Sequence, residues 1–141
     1  MTINIDVAAE SVQNTFEVVV KSDEADGSKA GFIVVGTMSA EFAKARREME
    51  LAGIRLARSK KGKINWEGTE GDEIIADQRT AGNLIIAKHC TLGWFGFFAG
   101  KEQPQPFEFT PENFDRVLAL FPMFADRIAT EVQNDENFMR S

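Results

Sequence analysis

The sequence predicts an α+β fold that is mainly α, a helical domain preceded by a two-stranded β-ribbon. Three observations carry that expectation. Runs of β-branched and aromatic residues occupy Thr15–Lys21 and Gly31–Gly36 and then cease. Beyond Gly36 the apolar residues recur at three- and four-residue steps, the spacing of a helix face. Two of those periodic stretches begin with capping residues, at Ser39 and at Thr110-Pro111. At 141 residues the chain has the length of one domain, divided into a ribbon over 14–36, a helical part over 39–134 and a tail over 135–141.

The ribbon strands are joined by a loop, Ser22 to Ala30, whose Asp26-Gly27 pair supplies the positive φ that turns require. A lone ribbon is marginal in water, so one of its faces must rest on helices. Ser39 caps a first helix running to about Arg58, with Glu41 in its first turn. Phe42, Ala45, Met49, Ala52 and Leu56 form a narrow seam, and Lys44, Arg47, Glu48 and Arg55 lie off it. Ser59 to Gly71 holds three glycines and no period and reads as a connector, with Trp66 as a pin. A second helix opens near Asp72 and carries Ile74, Ile75, Gln78, Ala81, Gly82, Ile85, Ile86 and Cys90, with Gly93 placed to end it. Small residues at Ala81 and Gly82 predict a close neighbour. Thr110-Pro111 starts a third helix with Phe114, Val117, Leu118 and Phe121 facing the core. Pro122 then breaks the run, and Phe124, Ile128 and Val132 continue a shorter helix. Leu118 and Ile85, at the centres of their stripes, are the expected core positions.

Composition narrows the function class. The chain is 43% hydrophobic and 27% charged, as ordinary globular proteins are. A net charge of −6 argues against general affinity for nucleic acid or anionic membrane. The single cysteine, Cys90, cannot form an internal disulfide, which fits a reducing compartment such as the cytoplasm. The first residues carry Asp6 where a signal peptide is cationic, and no apolar run approaches the roughly 20 residues of a membrane helix.

Nothing in the motifs points to catalysis, a cofactor or a metal. Adjacent helical residues point about 100° apart, so His89 and Cys90 cannot readily share a proton as a nucleophile and its base must. One His and one Cys would leave a zinc site dependent on scattered carboxylates. Gly93-x-x-Gly96 has neither the Lys-Ser/Thr of a phosphate loop nor the third glycine of a dinucleotide turn. The chain is therefore expected not to be an enzyme.

Two surfaces remain as candidates for binding. Arg46, Arg47, Arg55, Arg58, Lys60 and Lys61 make one basic block, extended by Lys63, which a solvated helix face would explain as well as a partner patch. The last third is acidic, with Glu108, Glu112, Asp115, Asp126, Glu131, Asp135 and Glu136. Unlike ends can attract copies of the chain into an open, spiral array, so the basic block is the candidate self-association surface. Trp94, Phe95, Phe97 and Phe98 place four large rings in five positions. They are the candidate partner surface, the alternative being that they close one end of the helical core.

These residues resemble the tail assembly chaperones of long-tailed, non-contractile bacteriophages. The resemblance runs through the extended N-terminal pair, the Arg-rich helix at Ala40 to Arg58 and the helix starting near Asp72-Glu73-Ile74. It continues in Gly93-Trp94, in Pro106-Phe107-Glu108-Phe109-Thr110-Pro111-Glu112-Asn113, and in Phe138 after Asn134-Asp135-Glu136-Asn137. It implies a homo-oligomeric protein of the infected host cytoplasm that binds the tape measure protein and keeps it soluble. Tail tube protein then assembles around that complex, and the chaperone is absent from the mature virion. Many relatives also have a longer, frameshifted form. The alternatives are a structural connector or tail completion protein and, behind it, a small nucleic-acid-binding regulator using Arg46 to Lys63.

Overall fold

The computed structural model describes residues 5, 6, 14–60 and 68–139. Strands β1 (Thr15–Ser22) and β2 (Lys29–Val35) form an antiparallel hairpin. In its loop Gly27 has a φ of 72° and donates its N–H to the Asp23 carbonyl at 2.8 Å, the role expected of the Asp-Gly pair. Helix α1 (Ala40–Lys60) starts where Ser39 Oγ accepts the Phe42 N–H at 3.1 Å. Helix α2 (Thr69–Cys90) passes directly into strand β3 (Thr91–Phe95). Two-residue strands β4 (Phe98–Ala99) and β5 (Gln105–Pro106) make a small second ladder. Helix α3 (Pro111–Leu120) follows its Thr110 cap, which accepts the Asn113 N–H at 3.1 Å. Helix α4 (Pro122–Val132) and a 3-10 helix (Asp135–Phe138) complete the described chain. The fold is α+β and mainly α.

The sheet has three strands in the order β1-β2-β3, which corrects the two-stranded ribbon. Trp94 pairs with Phe32 and Phe95 with Gly31 across an antiparallel ladder, and a register shift between Ile33 and Val34 absorbs one extra residue of β3. The helix thus ends at Cys90, and Gly93 lies within a strand. The reason is that β2 carries an unpaired row of backbone groups on its second edge, which must find partners once its face is covered. Two further corrections follow. The expected tail is a 3-10 helix whose Phe138 is buried, with its ring 6.1 Å from that of Phe16. Thr37 ties it down by donating its hydroxyl to Asp135 at 2.8 Å. Phe121, expected on the core face, leaves the helix at φ −130° and ψ 73° before Pro122 and is 43% exposed. The expected pin Trp66 and most of its connector lie outside the described residues.

One face of the sheet packs on the helices through Val18, Phe32 and Val34, all essentially inaccessible. Opposite them stand Ile86, Ala87 and Cys90 of α2, Val117 and Leu118 of α3, and Ile128 and Val132 of α4. Leu118 is a core residue as expected, whereas Ile85 is only half-buried and its neighbour Ile86 takes the inner position. Helix α2 packs against both α1 and α4. Gly82 allows the close approach predicted for it, because a Cβ there would lie 3.3 Å from the Met49 sulfur. On α1 the seam is buried only at Phe42 and Ala45, and from Met49 onward no described side chain is fully covered. The far halves of α1 and α2 carry exposed apolar residues, Leu51, Ile54 and Ile75.

Candidate functional site

The site is built where β3 turns into β4. Gly96 sits there with φ +76°, and a Cβ at this position would fall 2.2 Å from the Lys29 carbonyl oxygen. Only glycine accepts both the left-handed backbone and that approach. The turn separates the four clustered rings. Trp94 points to the core side of the sheet, where its ring lies 6.3 Å from Phe32 and stacks on Phe107 at 5.5 Å. Its indole N–H donates to the Phe107 carbonyl at 2.6 Å, so the polar edge of a half-buried ring is satisfied. Phe97 returns to the same cluster, 5.2 Å from Phe32 and 4.9 Å from Trp94. Phe95 alternates to the opposite face, where its ring occupies the space a Cβ at Gly31 would need. Phe98 alone of the four is mostly exposed, at 63%.

Phe98 forms one wall of an open groove of about 210 Å³, whose other walls are Leu120 and Phe121 at the junction of α3 and α4. Phe97 and Phe107 make its floor, and Arg116 closes one side with its guanidinium 5.6 Å over the Phe107 ring. Leu120 is 62% exposed. The walls are apolar, and the volume is below the roughly 300 Å³ at which small-molecule pockets begin. A groove of this size takes one or two apolar side chains of a larger partner. Leu120 and Phe121 were missed from the sequence as surface residues because helical spacing continues through Phe121. Pro122 was the available signal, since the residue before proline leaves the α region.

The candidate basic block is placed differently. Arg46, Arg47, Arg55 and Arg58 are all exposed along α1, with the Arg46 guanidinium 5.2 Å over the Phe42 ring. Lys60 is the last residue of α1 and Lys61 lies outside the described residues. The structure does not bring the described residues of this block to the aromatic groove, whose lining comes from β4, α3 and the Phe121 that follows it, with the Phe97 and Phe107 floor.

His89 and Cys90 diverge, as adjacent helical residues do. His89 Nε2 lies 2.7 Å from Glu48 Oε2, tying α2 to α1, while Cys90 is wholly buried in the core. Burial first, and then the Glu41 carboxylate, push the Cys90 thiol up from an ordinary value near 9 to about 12. Such a thiol is a poor nucleophile at neutral pH. The folded thiol holds its proton more tightly than the unfolded one. Stability is therefore fully present below pH 9 and is lost as pH rises from 9 towards 12. At pH 10.5 the loss from this group is about 2 kcal/mol, and Cys90→Ala should flatten that part of the profile. The chain has no tyrosine to obscure it. Urea melts from pH 8 to 11 check it, and equal slopes in both proteins would refute the assignment.

Among the described residues no group of three His, Cys, Asp or Glu could hold a metal ion, and no helix is long and apolar enough to cross a membrane. The chain matches no protein-family profile, no curated protein and no solved structure.

Proposed function

We propose that this chain is a tail assembly chaperone of a long-tailed, non-contractile bacteriophage. It binds the tape measure protein in the host cytoplasm, keeps it soluble while tail tube subunits assemble around it, and leaves before the virion matures. The observation that carries the reading is the open groove walled by Phe98, Leu120 and Phe121. It lies beside the segment from Pro106 to Asn113 on which the resemblance rests. A long apolar helix needs contacts repeated along its length, and many copies each offering a small apolar groove supply them without one tight site. The groove presents hydrophobic walls and one guanidinium, a chemistry of binding rather than of reaction.

Co-expression tests this reading. The tape measure protein encoded beside this chain should be soluble when the two are made together and should precipitate when made alone. Mass spectrometry of purified virions should then find the tape measure protein but not this chain. A client equally soluble without it, or this chain in stoichiometric amount in the particle, would overturn the proposal, and the second result would favour a structural connector.

A further inference from the structure

We infer that the Phe98 groove takes amphipathic helices whose apolar face is flanked by carboxylates, with Arg116 receiving one flank and Lys21 and Lys29 the other. The inference rests on the client reading and states the chemistry of the segment that the groove accepts. Its starting point is a second cavity, of about 470 Å³, lined by the base of the β1–β2 hairpin, including Lys21, Ser28 and Lys29, and by Phe98. Phe98 is the one residue that this cavity shares with the groove of Leu120 and Phe121. At 63% exposure it stands as a ridge, with the apolar groove on one side and the hairpin cavity on the other.

The charges beside the ridge are mostly cationic. Arg116 is exposed and lines the groove, with its guanidinium over the Phe107 ring. Lys21 and Lys29 are exposed and line the hairpin cavity, brought together because Lys21 pairs with Ala30 and Ser22 with Lys29 across the ladder. None of the three ion pairs among the described residues uses these cations. Asp23 is the one acid among the described residues lining either cavity, and its carboxylate accepts the Ala25 N–H at 2.9 Å within its own loop. Two nearby acids are also engaged, since Asp26 accepts the Ser28 N–H at 2.9 Å and Asp115 pairs with Lys88 at 3.1 Å. Glu24, Glu102 and Glu112, like Lys101, line neither cavity.

Cationic flanks around an apolar ridge select the occupant by charge. Side chains one turn apart on a helix stand about 5–6 Å from each other at Cβ, so one turn can straddle a single ring. An apolar side chain on one side of Phe98 then enters the groove against Leu120 and Phe121. A carboxylate one turn away reaches the hairpin cavity and its lysines, and a carboxylate on the far flank meets Arg116. A cationic helix would instead set like charges against all three residues and be rejected. Nucleic acid is the less suitable occupant, because the chain around the ridge carries a net charge of −6 and the groove walls are apolar.

Fluorescence anisotropy with the full chain and two labelled synthetic helical peptides tests the assignment. Both peptides carry leucines at i, i+3, i+4 and i+7, and the flanking positions are Glu in one and Lys in the other. The Glu peptide should bind roughly tenfold more tightly at low salt, and the difference should largely vanish in about 1 M salt, where the Debye length is near 3 Å. K21E/K29E/R116E should invert the preference, an outcome that only a folded variant can produce. If the reversal unfolds the chain, seen as lost helical circular dichroism, the milder K21Q/K29Q/R116Q should bring the two affinities level. Phe98→Ser with Leu120→Ser should bind neither peptide. Equal or absent binding of the two peptides by the native chain, or a native-like preference in any of these variants, would overturn the inference. A single-stranded oligonucleotide that displaces the Glu peptide would overturn it in favour of a nucleic-acid surface. Co-expression separates the two readings. A tape measure protein kept as soluble by the charge variant as by the native chain would overturn the inference and leave the client reading standing. One that precipitates beside the native chain would end the client reading, whatever the peptides show.

Discussion

Replacing Phe32 with Ala is expected to remove about 3–5 kcal/mol of stability, enough to leave a domain of this size largely unfolded. Phe32 is fully buried on β2, and its ring touches those of Trp94, Phe97, Phe114 and Phe124 at centroid distances of 6.3, 5.2, 5.8 and 5.7 Å. Those four rings come from β3, the turn after it, α3 and α4. One truncation therefore opens a cavity where the sheet and both C-terminal helices meet, and it also loses edge-to-face contacts with Trp94 and Phe124 worth roughly 0.5–1.5 kcal/mol each. Leu118→Ala belongs to the same class, at about 2–5 kcal/mol, because Leu118 is 4% exposed. Ile85→Ala should cost less than either, since that side chain keeps part of its surface in water. Urea melts with a two-state fit measure all three. A loss below about 1 kcal/mol for Phe32→Ala would show that the ring cluster is not the centre of the core.

The double variant Phe98→Ser with Leu120→Ser is expected to keep the fold and lose the client. Both side chains are more than 60% exposed, so their removal should change stability by little more than about 0.5 kcal/mol each. The groove they wall would nevertheless disappear. Under co-expression the tape measure protein should move from the soluble fraction almost wholly into the pellet. A variant that melts like the native chain and still keeps the client soluble would place the binding surface elsewhere. Phe97→Ser is the control. Its ring stands 4.9 Å from Trp94 and 5.2 Å from Phe32, so it should destabilise the fold itself and lose the client only by unfolding. The contrast separates the exposed wall of the aromatic segment from its buried floor.

That separation marks where local pattern stops being informative. Trp94, Phe95, Phe97 and Phe98 are four similar rings in the sequence, and which of them meets solvent depends on a strand that local pattern does not reveal. Thr91–Phe95 is five residues long, contains Gly93 and continues an apolar helix without a break. Its strand state comes from pairing with β2, a partner more than 50 residues earlier in the chain. Propensity yields to such a contact because unpaired backbone groups on a covered sheet edge cost more than the choice between helix and strand. Phe121 is a second instance. Its spacing from Val117 and Leu118 is that of a core residue, but Pro122 removes the α conformation before it.

By itself the sequence determined the ribbon of β1 and β2, the capped starts of α1 and α3, the break at Pro122 and the core position of Leu118. Each rests on groups within a few residues of one another, a cap, a proline, an Asp-Gly turn or one helical stripe, so the local chain holds all the information needed. The tertiary structure alone decided that β3 joins the sheet, that Phe138 is buried and that Phe98, Leu120 and Phe121 share one groove. These depend on residues brought together from 20 to 120 positions apart, where spacing says nothing and only the packing of one element on another settles which side of each is left to water.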